Sequence, residues 1–333
     1  MDYMNKMQES EGMPKKDEKE IPLTEFYRMV RDNLNRETIE EYISASDYLG
    51  LHNLLKKNAL PLQEKIIYRD ICAANGVDDA QFELALSFLE KSKNSDMLYL
   101  YLKRLADKGY VKSFYYLATC YIHGYGCDIN LQAARELILK AYIFKAYPDI
   151  VRDHYDFYSH VKELFEEHAD VEQARNYFYG IDCGQNYQKA FTYFASAFLK
   201  DEDAYAGCML GKFFQDGIGA KANCSVALEF YKRCRWGMTS YGYDDYFEMM
   251  PEYKIGMFLL DGIGTQQNKQ LASYFLGRVA DYYKKPENDI PERFASEINA
   301  AIEISDELFS EYGSEYEEEA EEWFDAQIEY VSN

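Results

Sequence analysis

Proline and tryptophan are scarce in this chain, at 7 and 2 of 333 residues. So few prolines leave little room for long structureless or polyproline stretches. No apolar run approaches the ~20 residues a membrane-spanning helix needs. The opening "MDYMNKMQESEGMPKKDEKE" lacks the apolar segment of a secretory signal, so residues 1–21 read as a mobile polar leader. Positive charge is in short supply too: 36 Lys and Arg face 58 Asp and Glu, a net charge of −22. Such a surface repels phosphate, which strongly disfavours nonspecific nucleic-acid binding. Of the five histidines, His154, His160 and His168 fall together, but at spacings of six and eight. Metal ligands on one helical face need spacings of three or four, so no metal site is expected. The seven cysteines (Cys72, Cys120, Cys127, Cys183, Cys208, Cys224, Cys234) are odd in number and unevenly spaced. With no signal segment, that pattern fits reduced thiols in the cytoplasm better than a disulfide framework.

What the chain has in quantity is tyrosine (32), phenylalanine (20) and internal repetition. Gly217 and Gly219 in "QDGIGAKANCSVALEFY" recur 45 residues on, as Gly262 and Gly264. A step of 93 the other way reaches Gly124 and Gly126 in "YLATCYIHGYGCDINLQAARELI". A weaker copy, "ARNYFYGIDCGQNYQKAFTYF", keeps Gly180 but has Asp182 in the second glycine slot. Small residues (Ala118, Ala174, Gly211, Gly256) precede the glycines and allow close helix approach. Asn130, Asn186, Asn223 and Asn268 stand at the N-cap slot before a second apolar stripe. Ala134, Ala190, Ala227 and Ala272 then supply the small contact of that second helix. The spacing predicts a helix, a glycine-terminated turn and a second helix in each copy. An earlier unit without the glycines, around Leu84, Ala85 and Phe88 with Met97–Tyr110, starts the array near residue 78. A phosphate-binding loop is the competing reading of Gly-Ile-Gly. It would need a preceding strand and a following Lys-Ser/Thr, and Asp216 and Asp261 would repel the anion.

The segments "SFYYLATCYIHGYGCDINLQAARELILKAY" and "AYAGCMLGKFFQDGIGAKANCSVALEFYKRC" resemble Sel1-like repeats, relatives of the tetratricopeptide family. The resemblance implies an all-α, right-handed α-solenoid with helical caps at both ends. Caps are expected over 22–77 and over the acidic 286–333, and the array over 78–285, with insertions at about 143–170 and 235–248. The first insertion should add an extra helix. The cysteine-rich branch of that family, to which β-lactam binding is ascribed, has paired cysteines separated by seven residues. Cys208 and Cys234 would need partners at Lys200 and Gly242, so the bridges cannot form as a set. A hydrolytic, β-lactamase-like enzyme is disfavoured, and no cofactor is expected.

The resemblance also implies that first helices face inward and bind a partner. Mapped onto this chain, the inner positions are Lys112, Tyr115, Thr119 and Ile122, then Tyr205, Cys208, Lys212 and Gln215, then Tyr253, Met257 and Leu260. The expected function is a non-catalytic scaffold or adaptor that holds a protein or peptide, basic at the contact, on a concave face. Nucleic acid and membrane are not expected partners. The alternatives are a regulatory subunit that docks through its acidic tail and an enzyme with a cryptic site.

Overall fold

A computed structural model describes residues 36–57, 62–91, 96–146, 161, 164–165, 170–235, 245–312 and 316–326. Secondary structure among them is helical, and the chain divides into two compact units, Met1–Leu84 and Ala85–Asn333. The leader, most of the first insertion with its three histidines, and residues 236–244 of the second lie outside the described residues.

The first unit contains α1 (Arg36–Ser44), α2 (Tyr48–Lys57), α3 (Leu62–Ala74) and the start of α4 (Asp78–Lys91). Ile39, Leu51, Leu55, Cys72, Ala73, Val77 and Ala80 form its core. Asp47 caps α2 by accepting from the Gly50 N–H at 2.8 Å. Buried Gln81 donates to the Ala73 carbonyl at 2.9 Å and so ties α4 to the end of α3. Burial pushes the pKa of His52 below its ordinary value, against the opposing pull of Glu83.

The second unit is an all-α solenoid of helical hairpins. After α5 (Asp96–Asp107), the first hairpin is α6 (Ser113–His123) with α7 (Leu131–Ile143). The second pairs α8 (Val171–Tyr179) with α9 (Tyr187–Asp201), and the third pairs α10 (Ala204–Asp216) with α11 (Cys224–Cys234). The fourth pairs α12 (Met250–Asp261) with α13 (Lys269–Tyr283). Then come α14 (Ala295–Tyr312) and α15 (Glu317–Asp325), both of which pack on α13.

The turns use the predicted chemistry at every copy. Gly124, Gly180, Gly217 and Gly262 end the first helices at φ of 68–72°, the left-handed region open to glycine. Each asparagine side chain accepts from the N–H three residues on: Asn130 from Ala133, Asn186 from Lys189, Asn223 from Val226, Asn268 from Leu271, all at 2.9–3.0 Å. The same asparagines donate their main-chain N–H backwards, to the carbonyls of Tyr121, Tyr177, Phe214 and Leu259. One residue thereby closes the first helix and opens the second, which fixes the hairpin geometry without tertiary help. The small residues lie where the two helices meet. A Cβ at Gly211 would sit 2.7 Å from the Tyr231 ring, and one at Gly256 would sit 2.7 Å from Leu276.

The second glycine has a different duty. A Cβ on Gly219 would lie 3.0 Å from the Tyr187 carbonyl oxygen, and one on Gly264 would lie 2.4 Å from the Cys224 carbonyl carbon. Each turn therefore rests on the first residue of the preceding hairpin's second helix, backbone against backbone. Asp182 holds this slot in the second hairpin and takes the same left-handed conformation, φ 55°, at a cost glycine would not incur. Asp182→Gly should therefore raise stability by roughly 0.5–1 kcal/mol. Denaturant unfolding would measure it, and a loss of stability would refute the strain.

One packing relation departs from nearest-neighbour stacking. α7, from the first hairpin, packs against α11 of the third. Gln132 donates to the Gly219 carbonyl at 3.0 Å, as Ser225 does to Gly264 at 2.8 Å one step later. At the other end of α7, Tyr142 donates to Glu202 at 2.8 Å, and the Arg233 guanidinium lies 5.5 Å from its ring. The third turn is thus seated on two hairpins at once. Arg135 donates to the Leu164 carbonyl at 2.8 Å, so the far end of the first insertion folds back onto α7.

Candidate partner-binding site

The eleven mapped positions separate into two groups. Lys112 and Lys212 are exposed, and Thr119, Gln215, Tyr253, Met257 and Leu260 are half-buried. Tyr115, Ile122, Tyr205 and Cys208 are buried, at 6%, 5%, 0% and 2% exposure. These four are corrected as surface residues: their side chains pack inside the solenoid. Tyr115 sits edge-on to Tyr116, with ring centroids 5.3 Å apart. Cys208 meets the thiol of Cys234 in α11 through a side-chain hydrogen bond, and burial pushes the Cys234 thiol pKa well up.

Tyr205 is claimed by the second insertion. Its hydroxyl donates to Asp245 at 2.6 Å, and Tyr179 donates to the same carboxylate oxygen at 2.5 Å. Arg175 closes the set. It donates through Nη2 to the other Asp245 oxygen at 3.2 Å and through Nε to the Tyr205 hydroxyl at 3.1 Å. The side chain of Asp245 is only 3% exposed and that of Arg175 15%. A buried carboxylate is tolerable here because one cation and two hydroxyls compensate it. The pKa of Tyr205 rises far above the ordinary phenol value, first through burial and then through its bond to Asp245. Next to Asp245, Tyr246 packs edge-on to the Tyr205 ring with centroids 5.6 Å apart. The far end of the 235–248 insertion is therefore a clasp that joins α8 to α10. Sequence spacing carried no signal for it, since Asp245 is 40 residues from Tyr205 and 70 from Arg175.

What stays accessible lies mainly on α10 and α12. Lys212 pairs with Asp216 one turn on, at 2.6 Å. Gln215 is held by the Tyr231 hydroxyl at 2.9 Å. Beside them Lys254, its ammonium 5.8 Å from the Tyr253 ring, has its pKa lowered by burial and by the nearby Lys212 charge. Tyr253, Met257 and Leu260 complete a mixed apolar and cationic strip on α12.

The C-terminal helices cover a separate, chemically rich region. Trp323 of α15 packs on Phe275 with centroids 5.7 Å apart, under the Lys232 ammonium 4.7 Å from its ring. Lys232 also donates to the Ala326 carbonyl at 2.8 Å, and Arg235 to Glu321 at 3.0 Å. Fully buried Glu252 faces Arg235 at 3.7 Å and Arg278 at 3.9 Å. Burial raises the pKa of Glu252 against the opposing pull of both cations. The acidic α15 is docked on the array here, with its carboxylate Glu321 spent on Arg235.

Among the described residues no group of three or more His, Cys, Asp or Glu is placed to hold a metal ion, and no helix is long and apolar enough to cross a membrane.

Four glycine-turned, asparagine-capped hairpins define a helical repeat protein of the solenoid class. The Sel1 repeat family model matches residues 113–142, 174–201, 204–233 and 252–281, so those hairpins are Sel1 repeats. No curated protein matches the chain. One similar solved structure is a protective antigen present in uropathogenic Escherichia coli strains that displays an SLR fold. It is 14% identical at a TM-score of 0.30, and the match covers 90% of this chain and 62% of that one. Another is a Sel1 repeat protein from Oxalobacter formigenes, 16% identical at a TM-score of 0.29, with 82% of this chain and 99% of that chain covered.

Proposed function

We propose that the protein is a non-catalytic scaffold or adaptor that binds a protein or peptide partner along the first helices of its Sel1 repeats. The observation that carries this reading is the strip on α10 and α12: an apolar row of Tyr253, Met257 and Leu260 beside Lys212. Lys112 and Thr119 extend the surface on α6. Sel1 repeats typically serve in protein interactions, and four of them are present. Tyr253 offers large contact area at small entropic cost, and Met257 adapts its shape to the surface it meets.

Charge acts at two ranges. The net charge of −22 draws a basic partner from a distance. At contact, Lys212 and Lys254 favour a neutral or acidic group, so a basic partner would set its cations on Asp216 and Asp261, exposed at the ends of α10 and α12. Reduced thiols, four of the seven buried, suit a cytoplasmic setting for this encounter.

The test compares the wild type with Lys212→Glu, Tyr253→Ala and Met257→Glu combined, by affinity capture from the native host and titration of the partner so identified. These side chains are accessible, so helicity should persist while affinity falls by about a hundredfold or more, as loss of an aromatic anchor predicts. Unchanged binding would remove the strip as the contact. Tyr115→Ala and Tyr205→Ala are unsuitable probes, since both would disturb the core.

A further inference from the structure

We infer that a cavity between the first and third hairpins is a binding site for a monocarboxylate with an apolar body. The cavity has a volume of about 460 Å³. That lies within the range of about 300–1,000 Å³ usual for small-ligand sites. Phe114, Leu117 and Leu137 give it apolar walls, and Lys103, Lys140 and Lys221 bring cations to it. In a chain so acidic, a lysine-lined cavity runs against the overall charge.

Lys140 is the decisive residue. It is 8% exposed, yet its ammonium makes no ion pair or hydrogen bond with the described residues. Its contact is the Phe214 ring, 5.8 Å away. Glu136, one turn earlier, turns its carboxylate to Gln132 at 3.5 Å and to the Lys221 main-chain N–H at 3.4 Å. Burial lowers the pKa of Lys140 below the ordinary lysine value, Lys221 pushes the same way and Glu136 opposes them.

The repeats supply an internal control. Ten residues after the capping asparagine, the first hairpin has Lys140, the third Arg233 and the fourth Arg278. Arg233 meets Glu202 at 3.5 Å, and Arg278 meets Glu252 at 3.9 Å. The same slot therefore has an internal counterion in two hairpins and faces a cavity in the first. A bound carboxylate would be the missing partner, with its carbon skeleton against Phe114 and Leu117.

The lining also sets the charge of the ligand. Lys103 is already paired with Asp107, and Glu136 offsets a second cation, which leaves one positive charge to be met. A monoanion matches that surplus, whereas a phosphate dianion exceeds it. The site shares no lining residue with the α10–α12 strip and does not depend on the partner-binding reading.

The experiment is calorimetric titration of the full chain with 4-phenylbutanoate, with 4-phenylbutanamide and inorganic phosphate as controls. The acid should bind, and the amide should bind about tenfold or more weakly, as expected when a charge-assisted bond is lost. Lys140→Met should lose at least about tenfold in affinity for the acid. Its melting temperature should hold or rise, since the substitution removes a buried cation and keeps the stem. Equal binding of acid and amide, undiminished binding by Lys140→Met, no binding of the acid, or its displacement by phosphate would each overturn the proposal.

Discussion

Asp245→Ala should destabilise the solenoid by roughly 3–5 kcal/mol, because it strands a largely buried cation and two hydroxyls. Arg175, Tyr179 and Tyr205 all converge on that carboxylate. Asp245→Asn keeps the shape and can still accept from the tyrosines, so it should lose less, about 1–2 kcal/mol. Tyr205→Phe removes two bonds, the one given to Asp245 and the one accepted from Arg175, and should cost about 2–3 kcal/mol. The graded order matters more than any single value. Amide hydrogen exchange would add the location: α8 and α10 should lose protection together, since the clasp holds one to the other. If Asp245→Ala unfolds at wild-type denaturant concentration with α8 still protected, the clasp is ornamental.

Gly264→Ala should be the most damaging single-methyl substitution in the turns. It places a side chain at φ 67°, which costs about 1–2 kcal/mol for an L-residue. It also drives a Cβ to 2.4 Å from the Cys224 carbonyl carbon, where only backbone movement gives relief. The sum should reach about 3 kcal/mol or more, as overpacking against an unyielding neighbour does. Gly262→Ala is the control. Its φ is 69°, but its nearest neighbours would be the Cβ and main-chain N of Gln267 in its own turn, both at 3.3 Å, so the conformational cost dominates. Equal losses for the two variants would show that contact between successive hairpins has no part in the requirement for glycine.

These two predictions mark the boundary of what the sequence discloses. The glycine turns, the asparagine caps and the small helix contacts are local devices. Each lies within about twenty residues of its partner, and four copies vote on every position. Even Asp182 was legible as the odd member of its column, and its left-handed φ follows from that column. The clasp was not legible, because Asp245 comes from an insertion that has no counterpart in the other hairpins. Tyr205 stands in a column whose family counterparts face inward, and what buries it arrives from 40 residues downstream. Lys212 is exposed, as helix periodicity alone would have it. Tyr205 is covered by an irregular segment, whereas Tyr115, Ile122 and Cys208 are buried by the helices of the array itself. The Lys140 cavity was hidden for a related reason. Its walls come from α5, α6, α7 and the turn after α10, and no periodic pattern links those stretches.

The seating of the third turn on two hairpins has a consequence for how this gene can change. In a solenoid where each repeat touches only its neighbours, copies can be gained or lost with little penalty. Here Gln132 of the first hairpin and Tyr187 of the second both meet Gly219 of the third. Duplicating or deleting one hairpin inside that triplet would break both seats at once. Copy number should therefore change least within that triplet, and the first three hairpins are expected to behave as one part.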